Sequence, residues 1–398
     1  MAETLAMEGA PREIRVGVIG AGWMGHVHAR AFARLRHHSP ELGVAPVVVA
    51  VADSIPGQVT DFAQRHGVSK TYADWRELVA DPEIDVISVT APNFLHAEIG
   101  SAVAKAGKHL WIEKPVGLTA ADARAVADAV AAAGIVGCVG FNYRNVPAMA
   151  RAHELIESGA IGMPTHARIS LLTDYAADPA GPLSWRYELA KGGHGVLGDL
   201  ASHGVDFARF LLGDIDSLVA ITRTFIDKRP IMDAGSSHYA RVDLSDPNLK
   251  YGEVENEDYV ATMMRMTNGT PVFMESSRAA TGEQNSYIVE VHGTKGLVRW
   301  DFRRPGQLEV SVGDDYQGQP TVMHFSEPGH GEYARFQPGG GIAMSYDDSK
   351  VIEAAMLLEA ITTGVNNQAT LADAVASAVA LEAMVESAET GQCVSARV

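Results

Sequence analysis

Short apolar runs alternate with helix-spaced segments through about residue 140, the pattern of a parallel sheet built from βαβ units. The runs are IRVGVIG, APVVVAVAD, DVISVT, KHLWIEK and IVGCVGF. Between them, residues 94–106 and 120–133 place apolar side chains at helical spacing and supply the crossovers that parallel strands require. This first half reads as a doubly wound α/β unit. After residue 142 the texture becomes α+β. A helix is expected at 147–157, strand-like and loop segments follow, and then comes a helix at 196–212 and several further strands. Asn268-Gly269 suits a tight hairpin, and residues 293–296 mark another turn, so an antiparallel sheet is implied. Two Ala-rich segments, 346–363 and 371–389, complete the chain as helices packing on one or both halves.

Composition narrows the class without altering this outline. The chain has 398 residues, 46% of them hydrophobic and 20% charged, enough for two globular domains, expected at 1–142 and 143–398. It has no apolar run long enough for a bilayer, so no membrane partner is expected. Residues 1–13 lack a basic start and an apolar stretch, and read as a frayed tail rather than a secretory signal. Cys138 and Cys393 are the two cysteines, which argues against a disulfide framework or thiolate metal cluster and makes the cytoplasm the expected compartment. A formal charge of -17 repels polyanions and argues against a nucleic-acid partner. No metal site is expected.

Gly20-Ala21-Gly22-Trp23-Met24-Gly25 lies where the first strand ends and the first helix begins. A glycine turn there lets backbone amides and a helix N-terminus approach a pyrophosphate, and the third glycine lets the helix pack close to the strand. Asp53, at the end of the second strand, is placed to accept hydrogen bonds from an adenosine ribose. The residues after it are Ser54 and Ile55 rather than an arginine, so NAD is expected, with NADP as the alternative. Thr90, Ala91, Pro92 and Asn93 end another strand at the same crevice. Asn93 either caps the following helix or meets a ribose, and His96 is more often packed than catalytic. Glu113-Lys114-Pro115 puts a charged pair at the carboxyl edge of the sheet, where a lysine partly withdrawn from water can hydrogen-bond a reacting hydroxyl. In the second half, GGHGVLGDLASH sets Asp199 and His203 four residues apart, on one face of a helix, as a candidate acid–base pair.

GAGWMG, Asp53, TAPNFLH, EKP and GGHGVLGDLASH occur in the order found in the Gfo/Idh/MocA oxidoreductases, which this chain resembles over nearly its whole length. GFNYR at 140–144, SWRYE at 184–188, the HGTKG turn and SYDDSKVIEA extend the resemblance. It implies an N-terminal Rossmann domain and a C-terminal α+β domain with a large, mostly antiparallel open sheet, through which homodimers or homotetramers form. It carries catalytic roles onto Lys114, Asp199 and His203, and departs from the family at Ala201, where relatives often have glycine. The candidate cofactor surface comprises Gly20, Gly22, Trp23, Met24, Gly25, Asp53, Ser54, Thr90, Ala91, Pro92, Asn93, His96, Glu113, Lys114, Asn142, Trp185 and Arg186. The candidate substrate surface comprises Lys114, Tyr143, Arg144, Asp199 and His203.

The expected reaction is hydride transfer from a secondary alcohol of a sugar, anhydrosugar or cyclitol. His203, with a pKa near neutrality, is the expected base; Asp199 orients it or bonds a neighbouring hydroxyl, and Lys114 stabilises the alkoxide. Lys114 as base is the alternative. Two other readings stay open: a glycosidase working through transient oxidation with tightly held NAD, for which His194, Tyr175 and Asp174 are further candidate bases, and a non-enzymatic dinucleotide- or sugar-binding regulator. Specificity is expected to lie in the loops at 174–182 and 228–251.

Overall fold

The computed structural model describes residues 11–232 and 241–398. The expected tail at 1–13 lies largely outside them, as does part of the 228–251 loop. Strands β1 (Arg12–Ile19), β2 (Val44–Ala52), β3 (Lys70–Tyr72), β4 (Val86–Val89), β5 (His109–Ile112) and β6 (Gly137–Val139) form one sheet in the order β3-β2-β1-β4-β5-β6. All its pairings are parallel. Helices α1 (Trp23–His38), α2 (Pro56–His66), α3 (Trp75–Ala80), α4 (Asn93–Lys105) and α5 (Ala120–Ala133) connect the strands. Strand order reverses between β1 and β4, so their carboxyl ends open a crevice of the kind that binds ligands in such sheets. β3 has no apolar run: Lys70 and Tyr72 are half-buried and Thr71 is exposed, so hydrophobic patterning gives no sign of it.

Helix α6 (Pro147–Glu157) leads into a second sheet. Its strands are β7 (Pro164–Leu172), β8 (Ile215–Arg223), β11 (Tyr259–Met266), β12 (Pro271–Ser277), β13 (Ser286–Gly293), β14 (Gly296–Asp301), β15 (Gln307–Val312), β16 (Val322–Phe325) and β17 (Val394–Ser395). A small ribbon of β9 (Lys228–Pro230) and β10 (Tyr251–Glu253) stands apart. The large sheet is mixed: β7 and β12 run parallel, and every other pair is antiparallel. The Asn268-Gly269 turn joins β11 to β12, with Gly269 at φ 89° and the Asn268 side chain accepting from the Thr270 amide. Alternation along the strands buries one face of this sheet and leaves Val219, Ile221, Met263 and Phe273 exposed on the other.

The remaining helices are the short α7 (Leu189–Gly192), α8 (Ser202–Leu212), α9 (Tyr346–Thr363) and α10 (Leu371–Thr390). α9 returns to the first sheet, where Val351, Ala354, Leu357 and Leu358 pack with Val16, Phe32 and Trp111. α10 serves both halves. Leu371, Ala374 and Val375 join the core around Ile112 and Val139, while Ala380, Leu381 and Met384 join the core under the large sheet. Small alanines on both sides let it enter two cores at once, and each buried leucine or valine contributes about 1.5–3 kcal/mol of apolar burial. The Lys114 and His203 elements are thereby held in one packed body.

Candidate active site

The glycine turn divides its duties. Gly20 has φ 100°, and a Cβ there would lie 2.6 Å from the Thr90 carbonyl carbon. A Cβ on Gly25 would lie 2.1 Å from the Gly20 carbonyl oxygen. Both glycines are needed for the strand, turn and helix to approach one another. At Gly22 a Cβ meets nothing within 4 Å, so this position faces open space at the start of α1. That open cradle, with backbone amides and a helix N-terminus around it, fits the pyrophosphate of a dinucleotide. Asp53 braces the turn: Oδ2 accepts from the Ala21 amide at 2.8 Å and Oδ1 from the Ile55 amide at 2.9 Å. The Thr90 hydroxyl donates to the Gly20 carbonyl at 2.8 Å. Exposed Trp23 stacks on Tyr346 of α9 with centroids 5.7 Å apart; Met24 is half-buried and Ser54 exposed at the rim.

Several candidates turn elsewhere. Asn93 does not cap α4, because Pro92 occupies the cap position; its side-chain amide instead donates to the Gly192 carbonyl across the cleft at 3.0 Å. His96 is buried between the Pro115 and Ala91 carbonyls, each 2.7 Å away, and links α4 to the loop after Lys114. Glu113 points away from Lys114. Its Oε1 lies 2.5 Å from Lys350 Nζ and 3.0 Å from His28 Nε2, with Glu353 Oε2 2.8 Å from the same lysine. This cluster is buried between α1, α9 and the end of β5. Lys350 and His28 hold the Glu113 carboxyl low against the opposing effect of burial, whereas burial raises that of Glu353. Asn142 likewise faces α9, donating to the Ser349 hydroxyl at 2.8 Å. Arg144, expected at the substrate, is instead an interior residue ion-paired with Asp206 and, at 3.5 Å, with Asp373.

Lys114 and Asp199 do meet. Lys114 Nζ donates to the main-chain carbonyl of Asp199 at 2.6 Å and lies 3.4 Å from its Oδ1. The Tyr175 hydroxyl donates to Oδ2 at 2.6 Å. The expected helix at 196–212 begins with a π-helical turn, Leu197–Ala201, which re-aims Asp199 relative to a regular helix. Both carboxylate oxygens are therefore engaged by groups other than His203, and the expected Asp199–His203 orientation is not what this geometry builds. Burial opposes ionisation of Asp199, but the Lys114 ammonium, Arg186 and the Tyr175 hydrogen bond hold its carboxyl well below the usual range.

His203, on the first turn of α8, is 7% exposed and sits edge-on to the Tyr143 ring at 4.6 Å. The expectation of a near-neutral pKa is corrected here: burial and then the adjacent Lys114 charge push the imidazole well below its ordinary value. At neutral pH the ring is uncharged. Tyr143 is buried among Phe207, Tyr287, Phe302 and Tyr346, so its ring walls the site beside His203. Half-buried Trp185 and Arg186 stack on each other at 4.6 Å. Asn256, which no motif singled out, ties this segment to the glycine-rich entry by donating to the Arg186 and Gly193 carbonyls at 2.8 Å. Glu257 accepts from the Leu197 amide at 2.9 Å and so holds the start of the π-turn. Lys350 was visible only as part of the SYDDSKVIEA segment, whose pattern does not reveal a contact 237 residues away.

The assembled groups are an open anion cradle, an ammonium fixed beside a carboxylate, and a neutral imidazole at the seam of two sheets. Residues 14–156 match the oxidoreductase family with an NAD-binding Rossmann fold, and residues 149–299 match the GFO/IDH/MocA C-terminal domain. A levoglucosan dehydrogenase of Pseudarthrobacter phenanthrenivorans is 36% identical over 380 residues, covering 95% of this chain and 96% of that protein. An inositol 2-dehydrogenase of Rhizobium meliloti is 30% identical over 313 residues, 78% of this chain and 83% of its own. A levoglucosan dehydrogenase solved in complex with NADH and levoglucosan superposes with a TM-score of 0.90 at 34% identity, over 97% of this chain and 100% of that one. The chain belongs to the GFO/IDH/MocA family of NAD-binding oxidoreductases.

Proposed function

We propose that the protein is an NAD-dependent dehydrogenase that oxidises a secondary alcohol of a sugar, anhydrosugar or cyclitol, with a levoglucosan-like anhydrosugar as the leading substrate class. The observation that carries this reading is the Lys114 side chain at the carboxyl edge of the first sheet, its Nζ bonded to the Asp199 carbonyl and 3.4 Å from Oδ1, one helical turn before His203. Bound NAD supplies the hydride acceptor. The chain's own groups manage the proton and the charge. His203 accepts the hydroxyl proton on a ring nitrogen, and Lys114 donates a hydrogen bond to the oxygen as negative charge develops. Asp199 keeps Lys114 aimed, through its main-chain carbonyl and Oδ1. Tyr143 closes the wall behind His203 and excludes water. Asp53, at the end of β2 and bonded to the Ala21 and Ile55 amides, would hold the adenosine ribose and would disfavour a 2'-phosphate, which favours NAD.

Residues 1–142 are assigned to dinucleotide binding and 143–398 to substrate binding and assembly. The exposed apolar residues Val219, Ile221, Met263 and Phe273 on the open sheet face support a homodimer or homotetramer formed there. Among the described residues no helix is long and apolar enough to cross a membrane, and both cysteines are free thiols, which supports a reducing, cytoplasmic setting. The test is cofactor reduction by purified protein with levoglucosan, monosaccharides, inositols and glycosides, with released aglycone followed in parallel. NADH formed in step with oxidation of one polyol is the expected result. Aglycone release without net NADH, or binding of NADH with no turnover, overturns it.

A further inference from the structure

Tyr175 is half-buried beside the reacting groups, and the reaction as derived above makes no direct use of it. It lies on the loop that leaves β7, and its hydroxyl donates to Asp199 Oδ2 at 2.6 Å. Burial and then the Asp199 charge raise its phenol well above the ordinary value, so the proton stays on the oxygen and Tyr175 is a donor rather than a base. The loop is braced. The Thr173 amide donates to the Ser277 carbonyl at 2.9 Å, and the Ala176 amide donates to the Arg278 carbonyl at 2.9 Å. Arg229, 1% exposed, donates to the carbonyls of Ala176, Asp178 and Gly181 and stacks 4.3 Å over Tyr187. A buried guanidinium directed onto main-chain carbonyls is a costly fixture, justified only where the loop must hold one shape.

We propose that Tyr175 is a positioning residue for hydride transfer: by donating to Oδ2 it fixes the Asp199 carboxylate, whose Oδ1 and main-chain carbonyl hold the Lys114 ammonium toward the alcohol oxygen. This rests on the dehydrogenase reading given above. A carboxylate without that donor can rotate about its side-chain torsions and compete for the His203 ring or for a substrate hydroxyl. Lys114 then keeps only its bond to the carbonyl. The role is exerted through Asp199, so its loss appears in the turnover step rather than in dinucleotide binding.

The experiment uses full-length Tyr175→Phe, which keeps the ring and its packing, with NAD and whichever polyol the wild type oxidises. The expected result is a fall in kcat on the order of tenfold, the value of one charge-assisted hydrogen bond. NADH affinity and thermal midpoint stay at wild-type values. The acid limb of kcat, which His203 sets, moves to higher pH, because the released Asp199 carboxylate can turn toward the imidazole and favour its protonated form. On an Asp199→Ala background the same substitution costs nothing further. Wild-type kcat and pH profile in Tyr175→Phe overturn the proposal. An equal loss in both backgrounds, or a joint loss of thermal midpoint and NADH affinity, also overturns it by showing a merely structural role. A wild type that oxidises no polyol overturns the parent reading first, and the proposal with it.

Discussion

Replacing Gly22 by alanine separates the cofactor cradle from the turn that shapes it. The added methyl meets no protein atom within 4 Å, and the backbone there is extended, at φ -75° and ψ -170°, a conformation alanine adopts freely. Folding stability should therefore stay within about 0.5 kcal/mol of wild type. The same methyl occupies the space through which backbone amides approach a phosphate. Loss of two charge-assisted hydrogen bonds, discounted for water that refills the gap, amounts to about 3 kcal/mol, or roughly a hundredfold in Kd. Gly25→Ala is the control. Its Cβ would lie 2.1 Å from the Gly20 carbonyl oxygen, so α1 must retreat from β1, with an overpacking cost of about 1–3 kcal/mol. Titration of NADH fluorescence alongside urea midpoints reads both effects. Gly22→Ala should lose affinity with an unchanged midpoint, and Gly25→Ala should lose both. Wild-type NADH affinity in a well-folded Gly22→Ala protein would refute the assignment of this turn as the phosphate cradle.

Lys114→Met and His203→Gln should each lower kcat by about a hundredfold while leaving the NADH Kd within about twofold, measured by steady-state kinetics and titration. Because the His203 imidazole is held low by burial and by Lys114, the acid limb of kcat/KM for wild type should fall below the ordinary imidazole range; a limb at the usual value of 6.5 would contradict the geometry. His28 sets a pH dependence of stability. It is wholly buried, stacked on Trp111 at 3.6 Å, and burial pulls its pKa down to about 4. As pH falls from 6.5 toward 4 the unfolded chain takes up a proton that the native state refuses, so stability is lost on acidification, by up to about 3 kcal/mol. Urea midpoints across that range should show the loss, and His28→Gln should flatten it.

What the sequence made legible was local chemistry. The glycine turn, Asp53 and Lys114 each follow an apolar run that ends at the crevice, so strand ends alone located them. The β11–β12 hairpin was legible for the same reason, since Asn268-Gly269 encodes its own turn. Groups whose partners lie far along the chain were not. Glu113 sits next to Lys114, yet Lys350 on α9 pulls it the other way, and Arg144 follows Tyr143 but is claimed by Asp206. The Asp199 and His203 spacing predicted a shared helical face, and the π-turn at Leu197–Ala201 redirected the acid to Lys114 and Tyr175. The His203 pKa depends on burial, which no spacing reveals. β3 belongs to the same class, because it arises from packing between distant segments, whereas packing of the last helix on both halves was among the expectations.

Hydride transfer at the Lys114 and His203 site is decided most directly by the fate of one hydrogen. With a polyol substrate deuterated at the carbinol carbon, wild-type protein should deliver that deuterium into NADH, one per product formed, and Lys114→Met should slow the delivery without diverting the label. Deuterium appearing in water, or product forming without label in the nicotinamide, would contradict direct hydride transfer at the Lys114 and His203 site.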